Sequence, residues 1–178
     1  YCVGLNSTWQ DSVIEWWNDW VVNGFKHKKP QLYLWGPSNV DKTTFIKGLL
    51  KMCSSVNNDQ CFEYYLNDAD YEVDDEIVES HIFRPYANDR KFAFEDWDEK
   101  QFNVCIMDDF HVSQFDISDL NKAIAGEKFI TKWYFGLTRK CKLEIPVIFI
   151  SNFDAPKESS KKYCGFRRRI FVVKADQA

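Results

Sequence analysis

The sequence predicts an α/β fold, a mostly parallel sheet covered on both faces by helices. Three observations lead there. Short strand-like runs alternate with helix-period segments along the chain. Residues 102–107 and 146–151 are apolar enough to read as strands buried on both sides. A strand-like run at 31–35 passes through a turn-rich loop straight into a helical pattern at 42.

The elements follow in order. Residues 11–23 read as an amphipathic helix: Val13, Ile14, Trp17, Trp20 and Val21 recur at helical spacing, Asp11 or Ser12 caps the start and Gly24 ends it. Its tryptophans read as core or as a subunit contact rather than as a face for stacking on DNA. Residues 1–25 are set apart as an N-terminal helical segment, a candidate oligomerisation element, and 26–178 as the main domain. A basic connector at 26–30 leads to the strand 31–35, the loop 36–41 and a helix over 42–53 with Phe45, Ile46, Leu49 and Leu50 on one side. A second strand is expected at 61–66, and the acidic run 67–79 is expected to be a solvated face. Strand 102–107 comes next, then a helix over 116–125 closed by Gly126. A hairpin spans 128–145 around Gly136-Leu137-Thr138, and strands follow at 146–151 and 170–173.

With 178 residues, the chain has room for one compact domain. Its 23 Lys+Arg against 27 Asp+Glu give a net charge of −4, which disfavours coating duplex nucleic acid through overall positive charge. No apolar run reaches the ~18 residues needed to cross a bilayer, so no membrane partner is expected. The 6 Cys form no C-x-x-C pair, and the expectation is reduced thiols in a reducing compartment rather than a zinc site. A start at Tyr1, without Met, reads as a fragment with a domain upstream. His27, His81 and His111 stand singly and read as surface or packing residues.

Four motifs carry chemistry. Gly36-Pro37-Ser38-Asn39-Val40-Asp41-Lys42-Thr43-Thr44 lies between a strand and a helix, the context of a phosphate-binding loop. Backbone N–H groups there cradle phosphate oxygens, Lys42 reaches the β/γ-phosphates of ATP, and the Thr43 hydroxyl ligates Mg²⁺. Asp41 stands where the motif has its second Gly. Asp tolerates φ > 0 better than most residues, but two like charges ~4 Å apart cost about 4 kcal/mol at an effective dielectric constant of 20. Asp41 therefore opposes Lys42 unless its side chain turns outward. The second motif is Met107-Asp108-Asp109-Phe110, an acid pair at a strand tip. One carboxylate suits Mg²⁺ and its neighbour an attacking water. The third is Phe149-Ile150-Ser151-Asn152, whose strand-end amide suits a γ-phosphate or that water. The fourth, Arg167-Arg168-Arg169, is either a solvated edge or the source of an arginine finger acting on a neighbouring subunit.

In this order the motifs resemble those of the superfamily 3 helicases of small DNA viruses. They look most like the helicase domain of the replication initiator (Rep) of circular single-stranded DNA viruses and their genome-integrated relatives. The resemblance covers roughly residues 30–173 and is strongest in the three nucleotide motifs. It implies an AAA+-like P-loop core with a β-hairpin inserted before the Asn152 strand, assembled as a hexameric ring around single-stranded DNA. It also implies Lys42 and Thr43 on nucleotide and Mg²⁺, Asp108 and Asp109 serving metal and water, Asn152 as sensor and Arg169 as finger. The family's DNA-gripping hairpin falls in the interval holding residues 132–142, where cations alternate with aromatics as single-strand binding requires. Arg139 and Lys140 are the DNA contacts chosen there on chemical grounds. The function expected is ATP-dependent DNA helicase or translocase action in rolling-circle-type viral replication, in the host nucleus, with a nicking domain upstream. Two alternatives stand beside it. One is a domain that has lost turnover through Asp41 and persists as a DNA-binding or ring-forming scaffold. The other is an RNA-virus superfamily 3 helicase, disfavoured because an amphipathic membrane segment and a Cys-rich zinc element are missing from this sequence.

Overall fold

The computed structural model describes residues 8–24, 29–54, 75–86, 93–132 and 136–176. The strand expected at 61–66 and the acidic stretch 67–74 lie outside them. Helix α1 runs Trp9–Asn23. It starts earlier than the apolar spacing predicts, because Thr8 and Asp11 form a reciprocal capping box: Thr8 Oγ1 accepts from the Asp11 amide at 3.3 Å, and Asp11 Oδ2 accepts from the Thr8 amide at 3.0 Å. Strand β1 (Gln31–Trp35) and helix α2 (Lys42–Ser54) flank the phosphate-loop motif. Helix α3 (Asp75–Ser80) and the two-residue strand β2 (Ile82–Phe83) come next. Neither is legible from sequence. The end of the acidic run, expected as a solvated face, is helical and buries Val78.

Strand β3 spans Val104–Met107, and Asp116 caps α4 (Ile117–Ala125) by accepting from the Asp119 amide at 3.1 Å. Strands β4 (Phe129–Lys132) and β5 (Thr138–Cys141) pair antiparallel, the expected hairpin preceding β6 (Val147–Ser151). A short helix α5 (Cys164–Arg167) includes the first residue of the arginine run, and β7 (Ile170–Lys174) is the last element among the described residues.

The central sheet has the order β2-β3-β6-β1-β7, every pair parallel. This is the predicted α/β architecture. Side-chain alternation along these strands divides the core in two. One face, with Leu32, Leu34, Ile106, Ile148 and Ile150, is covered by α1, α2 and α3 through Trp16, Trp17, Trp20, Ile46, Leu49 and Val78. The tryptophans of α1 are thus core residues of the same sheet. The other face is aromatic: Tyr33 and Phe149 meet Phe110 and Phe166, with Leu120 and Ile124 of α4 and with Phe129 and Cys141 of the hairpin. The aromatic-rich stretch 93–102, uninterpreted from sequence, packs into this face, with Trp97 stacked on Phe102 and edge-on to Phe83.

Candidate nucleotide site

Sheet order decides which strand ends become neighbours. Strand β6 lies between β1 and β3, with Trp35 opposite Ser151 and Met107 opposite Phe149. The three loops leaving these strands therefore emerge side by side. The Gly36 amide donates to the Ser151 carbonyl at 3.1 Å, and the Phe110 amide to the Ile150 carbonyl at 2.9 Å. Ser151, to which sequence analysis assigned no role, ties the exits together. Its buried hydroxyl donates to the Phe110 carbonyl at 2.8 Å and accepts from the Phe153 amide at 3.0 Å. A serine closing an apolar strand is the signal that marks it.

Gly36 is required by close approach. A Cβ built on it would lie 2.2 Å from the carbonyl oxygen of Ala175, where the chain leaves β7. Residues Ser38–Val40 form a 3-10 turn, and Asp41 follows in the left-handed region at φ 52°, ψ 39°. The position usually held by Gly thus does need φ > 0 here, and Asp supplies it. Helix α2 then begins, with the Phe45 amide donating to the Asp41 carbonyl at 3.0 Å.

The cavity over this loop measures about 170 Å³ and is lined by Ser38, Asp41, Lys42, Thr43, Thr44 and Asp108, with Asp109, Ile150 and Asn152 completing the wall. Lys42 is buried at 5% exposure. Its Nζ donates to the carbonyls of Gly36 (2.8 Å) and Pro37 (2.7 Å) and to Asn152 Oδ1 (3.3 Å). Burial pulls the ammonium below the ordinary lysine range, and the carboxylates of Asp108 and Asp109 oppose that shift. The Thr43 hydroxyl donates to Asp108 at 3.1 Å. The Asp109 amide also donates to Asp108, at 2.9 Å, and Asp109 itself turns through φ 48°. Asp108 thus faces Thr43 while the exposed Asp109 lines the cavity at its side. Asp41 is exposed and also lines the cavity, so its carboxylate does not leave the site. Val40 packs against the aliphatic core, and it and Gly36 can serve a ligand only through backbone. Asn39 is exposed within the 3-10 turn.

The donor set suits Mg²⁺. Among the described residues no group of three or more His, Cys, Asp and Glu could hold a metal ion by itself. A hydroxyl and a carboxylate in contact are what a cation takes when phosphate oxygens and water supply the rest of its shell. A buried ammonium, three hydroxyls and a helix start at one cavity suit phosphate.

Three predicted residues lie elsewhere. Arg169 precedes β7, whose first residue is in register with Gln31, while the phosphate loop follows Trp35. At ~3.3 Å per residue, a five-residue strand puts Arg169 roughly 15 Å from its own chain's loop. Its Nη1 donates to the Gly165 carbonyl at 2.6 Å. Arg168 beside it is exposed, and Arg167 lies 3.9 Å from Glu158. Arg139 and Lys140 sit on β5. Arg139 is half-buried and donates to the Trp97 carbonyl, whereas Lys140 is exposed. Residues 133–135 of the hairpin are outside the described set.

No family model matches the chain, and no curated protein matches it. Among solved structures, the chain is similar to the DNA clamp loader delta protein of Bacillus subtilis at 9% identity and a TM-score of 0.44. The match takes in 93% of this chain and 43% of that one, so the chain spans less than half the length of this neighbour. No helix among the described residues is long and apolar enough to cross a membrane.

Proposed function

We propose that this chain is a P-loop ATPase that couples hydrolysis to movement on single-stranded DNA, a helicase or translocase domain of the superfamily 3 kind. The carrying observation is the convergence of Lys42, Thr43, Asp108 and Asn152 at one cavity from three separate strand ends. In this reading Lys42 and the amides starting α2 bind the phosphates, and Thr43 and Asp108 hold Mg²⁺. The metal supplies charge neutralisation of the phosphate oxygens. Asp109 orients or deprotonates the attacking water, and Asn152, already bonded to Lys42, reports on the γ-phosphate position. Arg169, on the far edge of the sheet, serves the site of a neighbouring copy in a ring, hexameric by resemblance. Lys140 and Arg139 meet the DNA strand. The setting is rolling-circle-type replication of a circular single-stranded viral genome in the host nucleus, with a nicking domain elsewhere in the full protein.

Steady-state ATP hydrolysis with Mg²⁺, with and without single-stranded DNA, tests this beside Lys42→Ala. Turnover stimulated by DNA and lost in Lys42→Ala is the expected result. Asp41 motivates one second reading, a scaffold that binds without turning over, because its charge borders the cavity. A large gain of hydrolysis in Asp41→Gly would favour that reading. Little change would mean that the left-handed Asp is accommodated.

A further inference from the structure

Ser151 is the last residue of β6, is 1% exposed, and stands behind the cavity wall rather than in it. Its side chain lies between the two groups given to the attacking water and the γ-phosphate. The hydroxyl donates to the carbonyl of Phe110, the residue after Asp109, at 2.8 Å. The same oxygen accepts from the amide of Phe153, the residue after Asn152, at 3.0 Å. One atom thus fixes the chain just past the carboxylate and just past the amide. A hydroxyl supplies both the donor and the acceptor, and a methyl supplies neither.

Both segments need such a hold. Asp109 sits at φ 48°, a conformation that a residue with a Cβ keeps only where its surroundings enforce it. Phe110 is pinned on the far side of it. Its amide donates to the Ile150 carbonyl at 2.9 Å, its carbonyl accepts from Ser151, and its ring centroid lies 4.6 Å from that of Phe149. Losing the Ser151 hydroxyl takes that partner from the carbonyl of a buried residue and loosens the enforcement. Past Asn152, the Phe153 carbonyl accepts from the Tyr33 hydroxyl at 3.0 Å, so this turn is held from β1 as well as from β6. The contacts assigned to phosphate and metal are separate. Lys42 keeps the Gly36 and Pro37 carbonyls, Thr43 keeps Asp108, and the Gly36 amide meets the backbone carbonyl of Ser151, not its side chain.

We infer that Ser151 is a positioning residue for the hydrolytic step: its hydroxyl keeps Asp109 and Asn152 in register and so acts on the attack of water, not on the binding of nucleotide. The inference rests on the ATP hydrolysis proposed above and adds to it the group that sets its geometry. In that step the water oxygen bonds to the γ-phosphorus as the bond to the β,γ-bridging oxygen breaks. ADP leaves with that electron pair, and the proton of the water passes to Asp109. A misplacement of about 1 Å between reacting groups costs on the order of 100-fold in rate.

The test is single-turnover hydrolysis of prebound ATP with Mg²⁺ and single-stranded DNA, counted per bound nucleotide, beside the affinity for a non-hydrolysable ATP analogue. Ser151→Ala should slow hydrolysis about 10- to 30-fold and change the affinity less than about twofold. Ser151→Thr, which returns the hydroxyl, should recover to within about threefold of the wild-type rate. Ile148→Val, a fully buried truncation in the same strand, is the control for lost packing and should leave both readings unchanged. A rate per bound nucleotide does not register a smaller folded fraction. An unchanged rate in Ser151→Ala, a parallel loss of rate and affinity, or Ser151→Thr no faster than Ser151→Ala overturns the positioning role and leaves the hydrolysis reading intact. A wild-type chain that binds ATP without hydrolysing it overturns both. If Ser151→Ala does not fold, Ser151→Cys, of similar volume with a weaker donor and acceptor, must show the same split at smaller amplitude, and no split there overturns the inference.

Discussion

The cavity over residues 36–44 and a groove of about 750 Å³ beside β5, lined by Asp96, Asp98, Glu99, Lys128, Lys140 and Lys142 among others, both bring lysine and carboxylate into one lining, yet physically they are opposites. In the cavity Lys42 is buried, all three of its donors have oxygen partners, and Asp108 meets Thr43 at 3.1 Å. In the groove the lysines and carboxylates are exposed. Buried groups act through fixed geometry in a low dielectric, whereas exposed ones act through a field that salt screens. The first arrangement can hold groups in fixed register and the second acts only as a screened field.

Substitutions at the two places should therefore differ in size and in salt dependence. The largest effect belongs to Asp108→Asn, which removes charge next to Thr43. Mg²⁺-supported ATP turnover should fall about 100-fold or more, little altered by ionic strength. Gly36→Ala comes next and acts on stability, since the added Cβ would sit 2.2 Å from the Ala175 carbonyl oxygen. A loss of about 2–3 kcal/mol in denaturant unfolding is expected. An unchanged midpoint would mean that the end of β7 is free to move off the loop.

A subtler effect is the pH response of Lys42. Its folded-state pKa lies below the unfolded value near 10.5 because of burial, so the unfolded chain holds the proton more tightly. Stability attributable to this residue should then rise as pH climbs from the folded value towards the unfolded one. Nucleotide affinity in the free protein should fall over the same window, as the ammonium is lost. Lys42→Met should flatten both trends, read by thermal melts and by nucleotide titration across alkaline pH. The smallest effect is Lys140→Ala in the groove. Single-strand affinity should drop two- to threefold and the salt slope by about 1. A loss as large as that of Asp108→Asn, unmoved by salt, would erase the contrast between the two places.

The cavity was legible in the sequence and the groove was not. Gly36 to Thr44 is a contiguous motif whose meaning needs only a strand before it and a helix after it. The acid pair and Asn152 each end a recognisable apolar run. Helix α3, strand β2 and helix α5 escaped because they are short: two paired residues in β2 and one turn in α5 leave no period to detect. In the sequence Arg139 and Lys140 are neighbours in one cationic stretch. Strand alternation separates them, turning Arg139 inward to Trp97 and Lys140 out to solvent.

Local chemistry in the chain alone thus determined the α/β class, the strand–loop–helix segment around Gly36–Thr44 and the identity of each candidate residue, because apolar period and motif spacing are properties of neighbouring residues. Tertiary structure decided that β6 lies between β1 and β3, and with it that Thr43 touches Asp108 and Lys42 touches Asn152. It also decided that Arg169 lies at the opposite end of β7 from its own loop and that Arg139 reaches Trp97 while Lys140 stays exposed. Strand order follows from how two apolar faces of a sheet bury themselves against helices from distant parts of the chain. No window of sequence contains that sum.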